Sequence, residues 1–399
     1  MNKPILAVLL LITACQLESP PEPPLAQSAA GALMAAHEWG TFTSVMGSDG
    51  KSLEGLQHTE ELLPSFVHMR DATAGPTKGA GGLAAPVHQK LETPVIYFYG
   101  VDGVSVSVDV SFPKGVISEW YPEAATFAPE LGAPLLLTGG RMRWELELVD
   151  TAVVPEVAED SVWAPSRRVA ARGVRVRQGQ AIEDEGFVFY RGLGCFEVPI
   201  SVTSKGDEIT ISNASSDDLA GVVVLLGGEE EGGVISLGTL EANGSRTIAR
   251  AEIPLYAAEH YIRDAKATLA QSLETSGLYP DEARAMVDTW TRSYFVGAGL
   301  RVLYVVPRVW TDELLPIEIS PNPAELVRTL VGRIEVMTET EEQDVIADLA
   351  AAKAAGRFVS PTLYGRFTEP KLRRAAELIT DPTLKEFASI MAIQAATAP

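Results

Sequence analysis

Apolar residues recur at every second position along much of the first 250 residues. Val104, Val106, Val108 and Val110 alternate with Ser105, Ser107 and Asp109, and Met142, Trp144, Leu146 and Leu148 alternate with Arg141, Arg143, Glu145 and Glu147. Successive side chains of a strand point to opposite faces, so each run predicts a half-buried strand with one wet face. Phe187 and Phe189 open a further run, and clusters of Gly, Pro, Asn and Asp punctuate the series. Strands spaced in this way predict an antiparallel sandwich or barrel.

Within this β-rich region, Ile209 to Asn213, Gly221 to Leu226 and Leu237 to Leu240, followed by Asn243-Gly244-Ser245, resemble the strand order of immunoglobulin-like modules in bacterial surface proteins. Gly227 to Gly233 then predicts a hairpin loop. Near residue 255 the period becomes helical. Ile262, Ala265, Leu269 and Leu273 share one face, and Ala283, Met286, Val287, Trp290 and Tyr294 share another after the start signal Pro280-Asp281-Glu282. Leu300 to Val306 and Leu326 to Met337 read as strands, the second setting Leu330, Ile334 and Val336 against Arg333 and Glu335. Thr340 to Ala355, Pro370 to Ile379 and Thr383 to Ala395 read as helices. The expected fold class is α+β: a β-rich, antiparallel sandwich- or barrel-like body with an immunoglobulin-like segment, followed by an α/β and helical C-terminal part. The corresponding divisions are 37–206, 207–255, 256–337 and 338–399, with 1–14 a leader and 15–36 a tether.

The N-terminus adds a location. Lys3 precedes the apolar run Ile5 to Ile12, and Ile12-Thr13-Ala14-Cys15 is similar to the lipobox of bacterial lipoprotein signals. The resemblance implies removal of residues 1–14 and lipidation of Cys15 by a diacylglyceryl group and a further acyl chain such as palmitate. Two or three such chains, at about 0.8 kcal/mol per buried CH₂, hold a protein on a membrane without a spanning helix. Gln16 follows where aspartate would favour the inner membrane, so the expected address is the cell envelope, at the outer membrane. The proline-rich stretch Glu18 to Pro24 supplies an extended tether. Composition agrees with a folded body, 46% of residues being apolar and 21% charged, and the net charge of −21 argues against nucleic acid as a partner. With Cys15 lipidated, Cys195 has no partner for a disulfide and reads as a small core residue.

Standard catalytic signatures are missing: the sequence contains no HExxH, CxxC, GxSxG, GxxxxGK[ST] or GxGxxG. Histidine is distributed unevenly. Of five histidines, His37, His58, His68 and His88 fall in one short window, accompanied by carboxylates that include Glu61 and Glu92. Neutral imidazoles with one or two carboxylates can hold one divalent transition metal, Zn, Fe or Mn, and leave a position open for water. The four histidines are therefore candidate ligands, with Glu61 and Glu92 as catalytic candidates, although His37 and Glu38 would face opposite sides of a strand. Hydrogen-bonded core or surface histidines are the competing expectation. Asp71 to Pro86 reads as a loop long enough to act as a lid.

The segments His37-Glu38-Trp39-Gly40-Thr41-Phe42-Thr43-Ser44-Val45, Leu63 to His68 and Leu91 to Tyr99 resemble a family of uncharacterised secreted proteins of myxobacteria and planctomycetes. Gly277-Leu278-Tyr279, Ala285 to Trp290 and Leu303 to Arg308 continue the likeness. It implies one integrated architecture through residue 337 and brings no activity with it. Arg175 and Arg177, within a run of five arginines, are candidate anion-binding residues, with a solvated strand face as the alternative. Trp39, Trp120, Tyr121 and Trp163 read as core, with a sugar-binding cleft as the alternative. Two functions remain open: a membrane-anchored envelope lipoprotein with a metal-dependent hydrolase or oxidoreductase site, or a non-catalytic binding or scaffolding module whose partner is a small molecule or envelope polymer.

Overall fold

A computed structural model describes residues 34–58, 62–70, 86–130 and 136–397. The leader, most of the tether, Cys15, Glu61 and residues 71–85 of the lid lie outside the described residues.

A twelve-stranded sheet forms the middle layer, and its central strand, Ala35–Met46, is the first described. That strand pairs in parallel with Glu325–Val336 over its whole length and antiparallel with Gln89–Leu91 and Val95–Tyr99. Beyond Gln89–Leu91 lie Val188–Gly194, Gly115–Tyr121 and the edge strand His68–Met69. On the other flank come Gly299–Val305, Leu219–Gly227, Glu231–Leu240 and Leu255–Ala257. The sheet is antiparallel except at its centre, where a strand near the N-terminus meets one almost 300 residues later. The 207–255 stretch contributes to this large sheet and also to a three-stranded sheet of Ile200–Lys205, Glu208–Asn213 and Ser245–Ala249.

One face of the large sheet packs on that small sheet and on a six-stranded sheet containing Ser105–Phe112 and Gly140–Val149. The alternation read from the sequence sets this interface: Val106, Val108, Val110, Met142, Trp144, Leu146 and Leu148 are buried there with Phe42, Leu91, Ile96 and Ile334. Burial of each such aliphatic side chain contributes about 1.5–3 kcal/mol before entropy is counted.

The opposite face carries helices in two packets. Ala258–Thr275 and Pro280–Thr289 cover Trp39, Val95, Tyr97 and Val331. Glu339–Ala354, Thr368–Leu378 and Pro382–Thr397 cover Val45, Leu193 and Met337. The first of these C-terminal helices starts at Thr338, whose hydroxyl accepts from the Glu341 amide at 3.2 Å while the Glu341 carboxylate accepts from the Thr338 amide at 2.8 Å. No helix among the described residues is long and apolar enough to cross a membrane.

Candidate functional site

The four histidines of the expected metal set take separate partners. His37, fully buried on the central strand, places Nδ1 2.8 Å from Glu282 of the Pro280–Thr289 helix. Glu38, next to it, points the other way and accepts from Arg328 at 2.6 Å and Tyr190 at 2.5 Å. His58 lies 4.0 Å from Glu369; burial and the Lys90 charge hold its pKa below the ordinary value. His68, on the edge strand, sits between Glu183 at 2.9 Å and Glu123 at 3.3 Å, and the Glu183 hydrogen bond raises its pKa. His88 lines a groove beneath the last helix with Arg373, Glu377 and Lys385.

Sheet order gives the reason they do not converge. Four strand spacings separate the central strand from the edge strand, about 19 Å, so His37 and His68 cannot share an ion. Among the described residues no group of three or more His, Cys, Asp or Glu is arranged to hold a metal. His37 and His68 are thus corrected from ligands of one ion to residues held by separate carboxylates, and Glu61 lies outside the described residues.

The arginine expectation changes as well. Arg175 donates from Nε and Nη2 to both oxygens of Asp184, at 2.7 and 2.6 Å, and Arg177 lies 3.6 Å from Glu147. The anions these two side chains face are the chain's own carboxylates. Trp39, Trp120, Tyr121 and Trp163 are core, none more than 3% exposed. Cys195 is partly buried against the C-terminal helical packet.

Glu92 belongs to a different constellation, which lies between the two helical packets. Along the helix-facing side of the central strand, apolar Trp39 gives way to Thr41 and Thr43 before Val45 restores the apolar surface. Thr43 pairs laterally with Arg333 on one side and Lys90 on the other, and paired residues share a face. Arg191, from the next strand, and Arg366, just before the Thr368–Leu378 helix, join this polar band. Lys90, Arg191, Arg333 and Arg366 are 0–6% exposed.

The band meets an opening in the helical layer. After the Pro280–Thr289 helix the chain widens into a π-helix over Thr291–Val296, a form concentrated at functional sites. This turn brings Ser293 and Tyr294 to a cavity of about 40 Å³, also lined by Lys90, Glu92, Thr93, Arg191, Trp290 and Arg366. Trp290 stacks on Tyr294 with centroids 5.3 Å apart, and the Arg333 guanidinium lies 3.9 Å from the centre of the Tyr294 ring.

Glu92 is fixed at both ends. Its amide donates to the Thr41 carbonyl at 2.8 Å and its own carbonyl accepts from Arg191 at 2.9 Å. Its carboxylate accepts from the Tyr294 hydroxyl and from Arg366, with Arg333 3.9 Å away. Arg333 also binds Glu335, which Arg301 reaches at 2.5 Å; burial raises the Glu335 pKa, but the two guanidinium groups outweigh it and hold it low. Lys90 donates to the His58 carbonyl at 2.6 Å. Two further donors on the cavity lining, the Trp290 indole N–H and the Thr93 hydroxyl, are buried with no hydrogen-bond partner among the described residues.

Such a set, cations with neutral donors, suits an oxyanion, and the Glu92 carboxylate already meets part of it through Tyr294 and Arg366. The cavity has room for roughly three waters at about 10–15 Å³ each. Val162 and Thr289 line it and also line an outer groove of about 350 Å³ with Ser161, Arg168, Lys266, Asp288 and Arg292. Of these residues the sequence reading singled out Glu92, Arg333, Trp290 and Tyr294, the last three only as strand or helix positions. The signal for the rest was present as charge inside strands, in Lys90 and Arg191, but periodicity alone assigns such residues to solvent.

No protein-family model matches the chain, and no curated protein does. Among solved structures it is similar to the Fcho1 mu homology domain of Danio rerio with a bound Eps15 peptide, at 8% identity and TM-score 0.28, over 78% of this chain and 97% of that one. It is also similar to the yeast delta-COP-I mu-homology domain complexed with a Dsl1 WxWxV peptide, at 8% identity and TM-score 0.27, over 76% of this chain and 96% of that one. Likenesses this weak say nothing of a shared ligand.

Proposed function

We propose that the protein is a lipid-anchored binding module of the cell envelope whose chamber takes the anionic group of a small ligand. The observation that carries this reading is the pair of buried donors, the Trp290 indole N–H and the Thr93 hydroxyl, that have no hydrogen-bond partner among the described residues and line a recess whose cations, Lys90, Arg191 and Arg366, are already engaged, Arg366 by the Glu92 carboxylate. Acyl chains on Cys15 hold the chain at the outer membrane, and the stretch to Ala35 gives the body reach. A metal centre that uses both His37 and His68 has no geometric support, because the two lie about 19 Å apart across the sheet.

The test is calorimetric titration of the full-length protein in detergent with inorganic phosphate and with acetate. Binding of either anion, weakened at least about ten-fold by Arg366→Gln, supports the reading, since one charge-assisted contact is worth roughly 1.5–3 kcal/mol. Absence of binding by both anions, or wild-type affinity in the variant, overturns it. Membrane attachment is tested separately: Cys15→Ser should release the protein from the membrane fraction and abolish acyl labelling, and a variant that stays bound and labelled refutes the anchor.

A further inference from the structure

The groove beneath the last helix shares no lining residue with the chamber. It is lined by the helices Thr368–Leu378 and Pro382–Thr397, by the Ser52–Leu53 strand with its flanking residues and by His88. Its volume of about 490 Å³ falls within the range of about 300–1,000 Å³ usual for small-molecule sites. We propose that this groove binds a medium-chain aliphatic monocarboxylate, with the carboxylate at Lys385 and the hydrocarbon chain running toward Ile393.

The charges of the lining select the head. Glu377 lies 2.8 Å from Lys51 and 3.7 Å from Arg374, and Glu54 lies 3.1 Å from Arg373. Glu369 and Glu342 hold Arg373 and Arg374 in addition, each at 2.7 Å. Lys385, from the same lining, has no carboxylate partner among the described residues. A single anionic head thus meets an uncompensated ammonium, whereas a cationic head would have to break an existing pair. His88, half-buried, has no side-chain hydrogen bond among the described residues, and its neutral ring offers the groove one more donor.

The last helix selects the body. Lys385, Ser389, Ala392 and Ile393 recur at i, i+4, i+7 and i+8, one face of the helix. Eight residues at 1.5 Å each set Ile393 about 12 Å along the axis from Lys385. The Ser389 hydroxyl between them donates to the Lys385 carbonyl at 2.9 Å, so its proton is engaged within the helix. Leu53, Ala376 and Ala392 supply a buried apolar floor, and Ile393 stands 60% exposed on the lining. An aliphatic chain covers this surface, whereas a heavily hydroxylated body would find most of the polar groups already bonded to one another.

The full-length chain carrying Cys15→Ser, kept free of detergent, is titrated calorimetrically with butanoate, hexanoate, octanoate and 1-octanol. Full burial of a methylene is worth about four-fold in affinity, and in an open groove each added methylene should give at least about two-fold. Octanol should bind at least about ten-fold more weakly than octanoate, and Lys385→Gln should weaken octanoate by a similar factor. Ile393→Ser should flatten the step from hexanoate to octanoate. Both side chains are exposed, so each variant should keep the wild-type urea midpoint. Octanoate binding no tighter than butanoate, octanol matching octanoate, an unchanged octanoate affinity in Lys385→Gln, or an unchanged step in Ile393→Ser overturns the inference. The chamber reading stands or falls separately, on phosphate, acetate and Arg366→Gln.

Discussion

Removing Glu282 is the most direct test of what His37 does. The fully buried Glu282 carboxylate accepts from His37 at 2.8 Å, from the Tyr99 hydroxyl at 2.9 Å and from the Tyr279 amide at 2.7 Å. It thereby joins the central strand, its neighbour Val95–Tyr99 and the start of the Pro280–Thr289 helix. Glu282→Ala strands the fully buried His37 imidazole and two part-buried groups, the Tyr99 hydroxyl and the Tyr279 amide, and removing one partner of a buried pair costs about 3–5 kcal/mol. Glu282→Gln is a different perturbation. Its amide oxygen can still accept from His37 and the Tyr279 amide, while its NH₂ faces the Tyr99 hydroxyl, which rotates to accept. Only the charge assistance is lost, and about 1–2 kcal/mol is expected. Urea unfolding followed by tryptophan fluorescence, with the midpoint and slope fitted together, gives both values. The ordering decides the matter: variants equal to each other, or both within about 0.5 kcal/mol of wild type, would refute the view of His37 as a structural joint. Because this helix runs into the π-helix that carries Tyr294, the Ala variant should also weaken anion binding.

His68 makes stability depend on pH. Its hydrogen bond to Glu183 raises its pKa in the fold, so its contribution is complete below the ordinary 6.5 and fades as pH rises through the raised value. Glu183 is opposed by its own burial, but His68 and the Glu123 amide hold its pKa below 4.5, so that contribution is present above 4.5 and fades as pH falls through the lowered value. Thermal melts of His68→Gln should lose the alkaline slope, by no more than about 1 kcal/mol for a pair this exposed, and a retained slope would locate the effect elsewhere. Gly332→Ala would drive a methyl into the buried Tyr304 ring, a clash worth 1–3 kcal/mol or more by the usual scale of about one extra methylene; Tyr304→Leu in the same chain should recover part of it in denaturant melts, and full additivity would rule out the contact.

Pattern in the chain was a good guide wherever one face of an element meets solvent or a single core. Met142, Trp144, Leu146 and Leu148 are buried as their alternation predicts, and the three C-terminal helices fall within a few residues of their expected bounds. Helix Ala258–Thr275 is turned slightly, burying Tyr261 where Ile262 was expected, with Ala265, Leu269 and Leu273 as read. Its successor follows the expected face through Met286 and Val287, but Trp290 and Tyr294 lie beyond its α-helical part because the chain widens there into the π-helix. A period near 3.6 cannot reveal that widening, since the shift of register begins only at the residues that leave it.

The candidate site was illegible for a related reason. A strand with Arg333 and Glu335 on one face and Ile334 and Val336 on the other reads as half-wet, and that reading holds only if nothing covers the charged face. Here the C-terminal helices follow the strand in sequence and lie over its sheet, so Arg333 is fully buried although its neighbours in the chain have not changed. Burial of a cation without counter-charge is prohibitively costly, and the described partners are Glu335, two residues on in the same strand, and, from distant segments, Glu92 at the strand junction and the Tyr294 ring of the π-helix. Each of these residues is ordinary in its local window. Their chemistry arises from sheet order, which sets Lys90, Thr43 and Arg333 side by side, and from two helical packets whose aromatic rings, Tyr294 and Phe367, close over Arg333. The histidines show the reverse case: they are close in sequence, but the same sheet order carries His37 to the centre and His68 to the edge, where each is held by a different carboxylate.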